Sequence, residues 1–448
     1  MASAAEQMAR NMNFGAFRKA TELQNRIWFT LGALIVYRLG TYIPLPGIDP
    51  VALEEIFRQN AGGILGMFDM FTGGALSRMT IFALNIMPYI SAAIIMQLMT
   101  AISPTLEQMK KEGESGRKRI NQYTRYLTVV ITMMQAYGIA VGLESMSGGS
   151  AGSAVMDGGW FFRFTTVVTL TGGTMFLMWL GEQITQRGVG NGISLIIFAG
   201  IVANLPSALA GTLELGRTGA LSTIFIIGLL AMAVAVIFVI VFIERAQRRI
   251  VVQYPKRQQG NRMMGGESSH LPLKINTSGV IPPIFAGSIL GLPVTILGFS
   301  AAGAGPEWVT TLTAWMGRGQ PAYLLIYIGL IVFFAFFYTA VVFNPQDTAD
   351  NLKKYGGFVP GIRPGKNTAE YLDKVLTRLT VVGAAYLAAV CLLPEILMSQ
   401  YAVPFYFGGT SLLIVVTVTL DTVQQVQSHM LAHQYEGLIK KAKLRGRN

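Results

Sequence analysis

The stretch TGALSTIFIIGLLAMAVAVIFVIVFI (218–243) runs for 26 residues without Asp, Glu, Lys or Arg. Wound as an α-helix at 1.5 Å per residue, it reaches about 39 Å, beyond the roughly 30 Å of a bilayer's hydrocarbon core. Glu244, Arg245, Arg248 and Arg249 follow at once, so a polar loop begins where the apolar run ends. Composition decides between a membrane span and a buried core helix. The 448 residues are 52% hydrophobic and only 13% charged, about half the charge of an ordinary soluble domain.

Working outward, further charge-free runs lie at 79–106, 126–143, 164–181, 188–213, 275–306, 319–346, 379–394 and 396–420. A tenth span, about 27–45, comes first and contains Arg38, close enough to its end to reach the headgroups. Glu395 beside Pro394 predicts a short turn between the last two runs. The fold class is therefore an all-α integral membrane protein of about ten transmembrane helices.

Ten spans put both termini on one side, and the basic residues say which. Of 35 Lys and Arg, all but Arg38, Arg58, Arg78, Arg163, Arg217 and Arg318 fall on the side of the termini. That asymmetry makes the termini cytoplasmic. It also accounts for a net charge of +12 without invoking nucleic acid. The chain divides into a cytoplasmic segment (1–26), a first five-helix half (27–213), a second (218–422) and a basic cytoplasmic tail (423–448). Residues 1–26 are polar and show no cleavable signal. Cys391, the one cysteine, lies in an apolar run and reads as a small buried hydrophobe.

Three kinds of segment do not read as plain spans or loops. AGGILGMFDMFTGGALSR (61–78) is apolar, Gly-rich and interrupted by Asp69. A short re-entrant helix fits it, and an interfacial helix lying on the bilayer is the alternative. The second span carries Pro88 in NIMPYI, and the seventh carries Pro282 and Pro283 in GVIPPIF. Prolines inside spans predict kinks. Their matching places, each in the second helix of its half, are consistent with two inverted halves around a central path. Finally, the loops at 245–275 and 344–378 are long and basic. IVVQY (250–254) predicts a strand, Asn344–Pro345 a helix start, and FVPGIRPG (358–365) a rigid turn exposing Arg363. Asn367 with Glu370 is placed to cap the next helix. Simple solvated loops remain the alternative, although their length exceeds what two helices need.

Several chemistries are not encoded. GIRPGKNT (361–368) resembles the end of a phosphate loop, but Pro360 replaces its first Gly and Asn367 follows the Lys. His429 and His433 stand four apart without a carboxylate cluster, so a solvated helix face outweighs a metal site. The span interiors hold almost no ionisable groups, contrary to what ion-coupled transporters need. No catalytic residue, metal or cofactor is expected, and a passive conduit driven by a partner outweighs a secondary transporter or a membrane-embedded enzyme.

YIPLPGID (42–49), MFTGGALSRMTIFALNIMPYISA (70–92), KKEGESGRKRINQYTRY (110–126), MFLMWLGEQITQRGVGNGISLIIFAGI (175–201), ERAQRRIVVQYPKRQQG (244–260), HLPLKIN (270–276), VFNPQDTADNLKKYGGFVPGIRPG (342–365) and VPFYFGGTSLLIVV (403–416) resemble the SecY family, in its bacterial form, along nearly the whole chain. That resemblance implies a protein-conducting channel of the bacterial cytoplasmic (inner) membrane. Ten helices form two halves around an hourglass pore, through which secretory chains cross and from which transmembrane segments leave sideways into lipid. It implies a plug at about 63–76 and a lateral gate between the second and seventh spans, with Gln97 and Asn276 as candidate polar contacts across it.

The same resemblance assigns a pore ring to Ile86, Ile90, Ile193, Ile197, Ile284 and Ile414. Taken alone, the i,i+4 pairs Ile86/Ile90 and Ile193/Ile197 show only a shared helix face, which more often packs or meets lipid. The implied partners are SecE and SecG in the membrane, the motor ATPase SecA, the ribosome with its nascent chain, and signal peptides. Arg248, Arg249, Lys256, Arg257 and Arg363 would dock the motor or the ribosome, the latter through salt-sensitive phosphate contacts.

Overall fold

The computed structural model describes residues 21–53, 69, 72–145, 147–148, 152–153, 155–219, 222–254, 257–259, 262–264, 268–290, 320–401 and 409–445. In chain order these form α1 (Thr21–Gly40), α2 (Met87–Ile102), α3 (Pro104–Lys111), α4 (Glu114–Ser145), the short pair β1 (Ser147–Gly148) and β2 (Gly152–Ser153), α5 (Trp160–Arg187), α6 (Gly192–Arg217) and α7 (Thr223–Arg245). Then follow β3 (Gln247–Gln253), β4 (Arg257–Gln259), β5 (Arg262–Met264), β6 (Ser268–Lys274), α8 (Ile281–Leu290), α9 (Pro321–Val342), α10 (Pro345–Lys354), α11 (Lys366–Tyr401) and α12 (Gly409–Arg445).

Ten of these helices stand where the ten spans were expected. Seven described helices are long and apolar enough to cross a bilayer, and α2 with α3, bent by 99°, makes an eighth. The other two are α1, shifted toward the N-terminus of its expected span, and α8, of whose span only the first part is described. Burial follows the same logic. In α7 the core-facing residues are Ile226, Leu229 and Ile240, whereas Ile224, Ile227, Val234, Phe238 and Phe242 lie exposed. A helix apolar all round is at home in lipid.

The prolines behave differently from the expectation. Pro88 sits in the first turn of α2, and Pro282 and Pro283 in the first turn of α8. They start helices rather than kink them, since a first-turn N–H has no helical partner to lose. Ahead of α2 the chain runs as turns from Thr80, with Asn85 at φ 49°. The expected turn at Pro394–Glu395 is absent, because α11 continues through both to Tyr401. Pro394 frees the carbonyl four residues back, on Val390. Gly409, at the start of α12, lies so close to that oxygen that a Cβ would stand 1.7 Å away. Gly409→Ala is therefore expected to cost about 1–3 kcal/mol by overpacking. A lowered midpoint of thermal unfolding in detergent is the measurement, and an unchanged midpoint contradicts this account of the joint.

Asn367 also departs from its expected place. α11 begins at Lys366, so Asn367 lies inside the first turn, and Thr368 instead ties back by donating to the Arg363 carbonyl at 2.9 Å. Asn344 does cap α10, its side-chain oxygen accepting the Gln346 N–H at 3.0 Å. The predicted strand forms β3, paired antiparallel with β6, with Arg248 opposite Leu273 and Arg249 opposite Pro272. The tail too keeps its helix, since α12 runs on to Arg445.

Helix contacts join the two sets of five mainly through α6 against α12, with lesser contacts of α6 to α7 and α1 to α12. One large apolar cluster occupies the middle and draws on α1, α2, α5, α6, α7, α8, α9, α11 and α12. A second, built from Leu45, Ile48, Leu53, Met79, Leu143 and Phe162 among others, belongs to the first half alone.

Candidate functional site

All six isoleucines singled out in the sequence fall in the central cluster. Ile86, Ile90, Ile197 and Ile414 are at most 5% exposed, and Ile193 and Ile284 pack against them half-buried. Their elements explain the convergence. Ile86 immediately precedes α2 and Ile90 is in its first turn, while Ile193 and Ile197 face inward from the first two turns of α6. Asn191 caps α6 by accepting from the Ile193 N–H at 3.1 Å, which fixes where those turns begin. Ile284 lies in the first turn of α8, and Ile414 near the start of α12.

Ile197, Ile284 and Ile414 line a common narrow gap together with Met87, Pro283, Gly287, Tyr327 and Thr410. It lies between α2 and α6 on one side and α8, α9 and α12 on the other. Its polar groups are turned onto each other: Tyr327 Oη and Thr410 Oγ1 are 3.0 Å apart. Met87, Tyr327 and Thr410 were not foreseen. A Tyr and a Thr in otherwise apolar spans are the only sequence trace they leave.

Between α2 and α8 the chain shows a thin contact. Ser288 in α8 donates to its own Ile284 carbonyl at 2.8 Å and stands 4.0 Å from Met87 Sδ in α2. Gln97 and Asn276 are not hydrogen-bonded across this seam. The Asn276 amide donates to Glu244 Oε1 at 2.7 Å and to the Gly279 carbonyl at 3.0 Å, while Gln97 Oε1 is buried without a partner among the described residues. Glu244 was missed because it reads as the polar end of a span.

Of the segment expected at about 63–76, residues 69 and 72–76 are described, and the rest lies outside the described residues. Asp69 and Thr72 are helical, and the chain then turns at Gly73 and Gly74, both at positive φ. Asp69 braces the turn, accepting the Ser77 N–H at 2.7 Å and, through its carbonyl, the Gly74 N–H at 3.0 Å. Tyr37 and Arg38 of α1 donate to the Thr72 and Gly73 carbonyls, each at 3.3 Å.

The two long loops form one body. Gln253 at the end of β3 exchanges both backbone hydrogen bonds with Phe358, each at 2.9 Å. Beneath them Ile250, Leu273, Val359, Leu372, Val375 and Leu376 make a small separate core. Arg248, Arg249 and Arg363 stand exposed on this platform, and Gly361 and Gly365 flank Arg363 at positive φ. Arg257 belongs to β4, and Lys256 lies outside the described residues. Among the described residues no three His, Cys, Asp or Glu are grouped to hold a metal ion.

Comparison with known proteins agrees over most of the chain. A family model described as SecY matches residues 80–423. The protein translocase subunit SecY of Escherichia coli K12 is 57% identical over 425 residues, covering 95% of this chain and 96% of that protein. Its counterpart in Rickettsia conorii is 55% identical over 428 residues, covering 96% and 98%. Among solved structures, one described as a protein conducting channel superposes with a TM-score of 0.64 at 18% identity, covering 90% of this chain and 92% of that one. Sec61 in the canine ribosome–channel complex gives 0.62 at 17% identity with the same coverage.

Proposed function

The chain belongs to the SecY family, a channel subunit of a protein translocase rather than an enzyme, and from that premise we propose how its own residues carry out the transport. Ile86, Ile90, Ile193, Ile197, Ile284 and Ile414 form the pore ring. Branched apolar walls hold water poorly, so a narrow ring of them is dry when idle and yields around a threaded chain. The observation that carries this is their convergence on one apolar cluster, in which Ile197, Ile284 and Ile414 line a narrow gap between α6, α8 and α12.

The halves 27–213 and 218–422 act as the two walls, and the 63–76 segment is the plug. The seam between α2 and α8 is the lateral gate, where an apolar signal segment exchanges protein for lipid contacts. The platform carrying Arg248, Arg249 and Arg363, with Lys256 and Arg257 at the hairpin, docks SecA or a ribosome. SecE and SecG complete the membrane complex, which sits in the bacterial inner membrane with both termini cytoplasmic. That orientation rests on the distribution of Lys and Arg.

Reconstitution with SecE and SecA in vesicles tests the reading. A signal-bearing precursor is expected to become protease-protected only with ATP. Failure of that uptake, with carriage of a small solute instead, favours a transporter and removes the channel.

A further inference from the structure

The turn 188–191, which joins α5 to α6, is fastened by side chains from three helices. The Val189 N–H donates to Thr30 Oγ1 of α1 at 3.0 Å, and the Gly190 N–H to Gln425 Oε1 of α12 at 2.8 Å. The Gly192 N–H, at the start of α6, donates to Thr185 Oγ1 of α5 at 2.9 Å. There is no slack around these bonds. Val189 is 3% exposed and packs with Leu23 of α1 and Met430 of α12. Gly190 is buried at φ 91°, where a Cβ would stand 2.9 Å from Leu195 Cδ1 and 3.2 Å from Thr422 Oγ1. A Cβ on Gly192 would stand 2.0 Å from the Gly181 carbonyl oxygen.

The three ties differ in origin. Thr30 and Thr185 belong to the same half as the turn and move with it. Gln425 comes from α12, the last helix of the second half, where that helix runs on into the tail. Its bond therefore runs between the halves, at the α6–α12 contact that chiefly joins them. Gln425 follows Ile414 by eleven residues, and eleven residues make three turns of helix to within about 20°. The two occupy one face of α12, about 16 Å apart. On α6, Ile193 and Ile197 follow Gly190 by three and seven residues. Clasp and ring are thus two ends of one helix pair. At the inner end Ile197 and Ile414 line the same narrow gap.

We infer that Gln425 is a positioning residue for the pore ring: by holding Gly190 across the halves it fixes the first two turns of α6, and with them Ile193 and Ile197, against Ile414. The inference deepens the ring reading above and rests on it. Without that acceptor the start of α6 is tied to its own half alone. It is then free to shift along α12, and the apolar constriction no longer closes to the width that excludes water. Gln425 is itself exposed, so its side chain fills no core space and the fold does not depend on it.

The test is ion conductance of the idle complex in a planar bilayer. Gln425→Leu, which keeps the bulk and removes the acceptor, is expected to raise it about fivefold, the factor for ~1 kcal/mol and the usual worth of one hydrogen bond. Its unfolding midpoint in detergent is expected to stay parental. Gln425→Glu retains an acceptor oxygen and is expected to conduct as the parent does. Thr30→Val frees a neighbouring N–H of the same turn but cuts nothing between the halves, and it too is expected to stay tight. Parental conductance of Gln425→Leu overturns the inference. So does equal leakage of Gln425→Glu or Thr30→Val, or a leak that comes with a lowered midpoint. Replacing Ile197, Ile284 and Ile414 together by Ser separates the premise. If that variant conducts no more than the parent, the ring reading itself fails. If it leaks while Gln425→Leu does not, only the role of Gln425 falls.

Discussion

Arg363→Glu is expected to reduce motor-driven precursor uptake about a hundredfold while leaving the protein folded and membrane-inserted. The reason lies in how the turn is built. Val359 and Ile362 pack into the small core under the platform, and Gly361 and Gly365 take positive φ, so the intervening arginine is presented on a rigid edge. Preorganisation of this kind means little ordering entropy is lost when a partner docks. Like charges brought together at an interface cost several kcal/mol, and ~2.8 kcal/mol is a hundredfold. Arg363 is exposed, so the same reversal is expected to move folding stability by no more than about 0.5 kcal/mol. Uptake into vesicles measures the first quantity and thermal unfolding in detergent the second. Normal export by this variant removes the docking role, and loss of export accompanied by a falling unfolding midpoint reassigns Arg363 to structure.

Replacing Ile197, Ile284 and Ile414 together by Ser is expected to make the idle channel leak. These three reach the shared gap from α6, α8 and α12, and so from both halves. A hydroxyl offers water the partner that a branched alkyl group denies it, so dewetting no longer closes the constriction. Loss of ~1.4 kcal/mol or more from the barrier corresponds to at least about a tenfold rise in ion conductance across a planar bilayer. The matched triple Val variant removes methylene groups without adding polarity and is expected to stay tight. Equal conductance of the Ser variant and the parent sinks the seal; equal leakage of the Ser and Val variants points to lost packing volume instead.

Much of this was readable before any coordinates. Charge-free runs such as 218–243 fixed the spans, because a bilayer permits little else over that length. The Asn344–Pro345 start and the β3 strand were legible from local chemistry, since a cap or a short alternating run is decided by neighbours in sequence. Prolines misled for an instructive reason. Pro88, Pro282 and Pro394 look alike in sequence, yet two open helices and the third sits within one. At Pro394 the chain makes room: Gly409 packs close against the Val390 carbonyl that this proline leaves without its helical partner.

By itself, the sequence determined which runs are apolar enough to cross a membrane and where the cationic loops lie, because transfer into lipid and the attraction of charge to water act residue by residue. It also yielded the family resemblance. Only the tertiary structure decided that six isoleucines from α6, α8, α12 and the start of α2 share one cluster, that Gln253 and Phe358 weld two distant loops, and that Asn276 bonds Glu244 rather than Gln97. Those outcomes depend on which helix faces meet. Spacing along a chain reports the face a residue occupies on its own helix and not the partner that face will find.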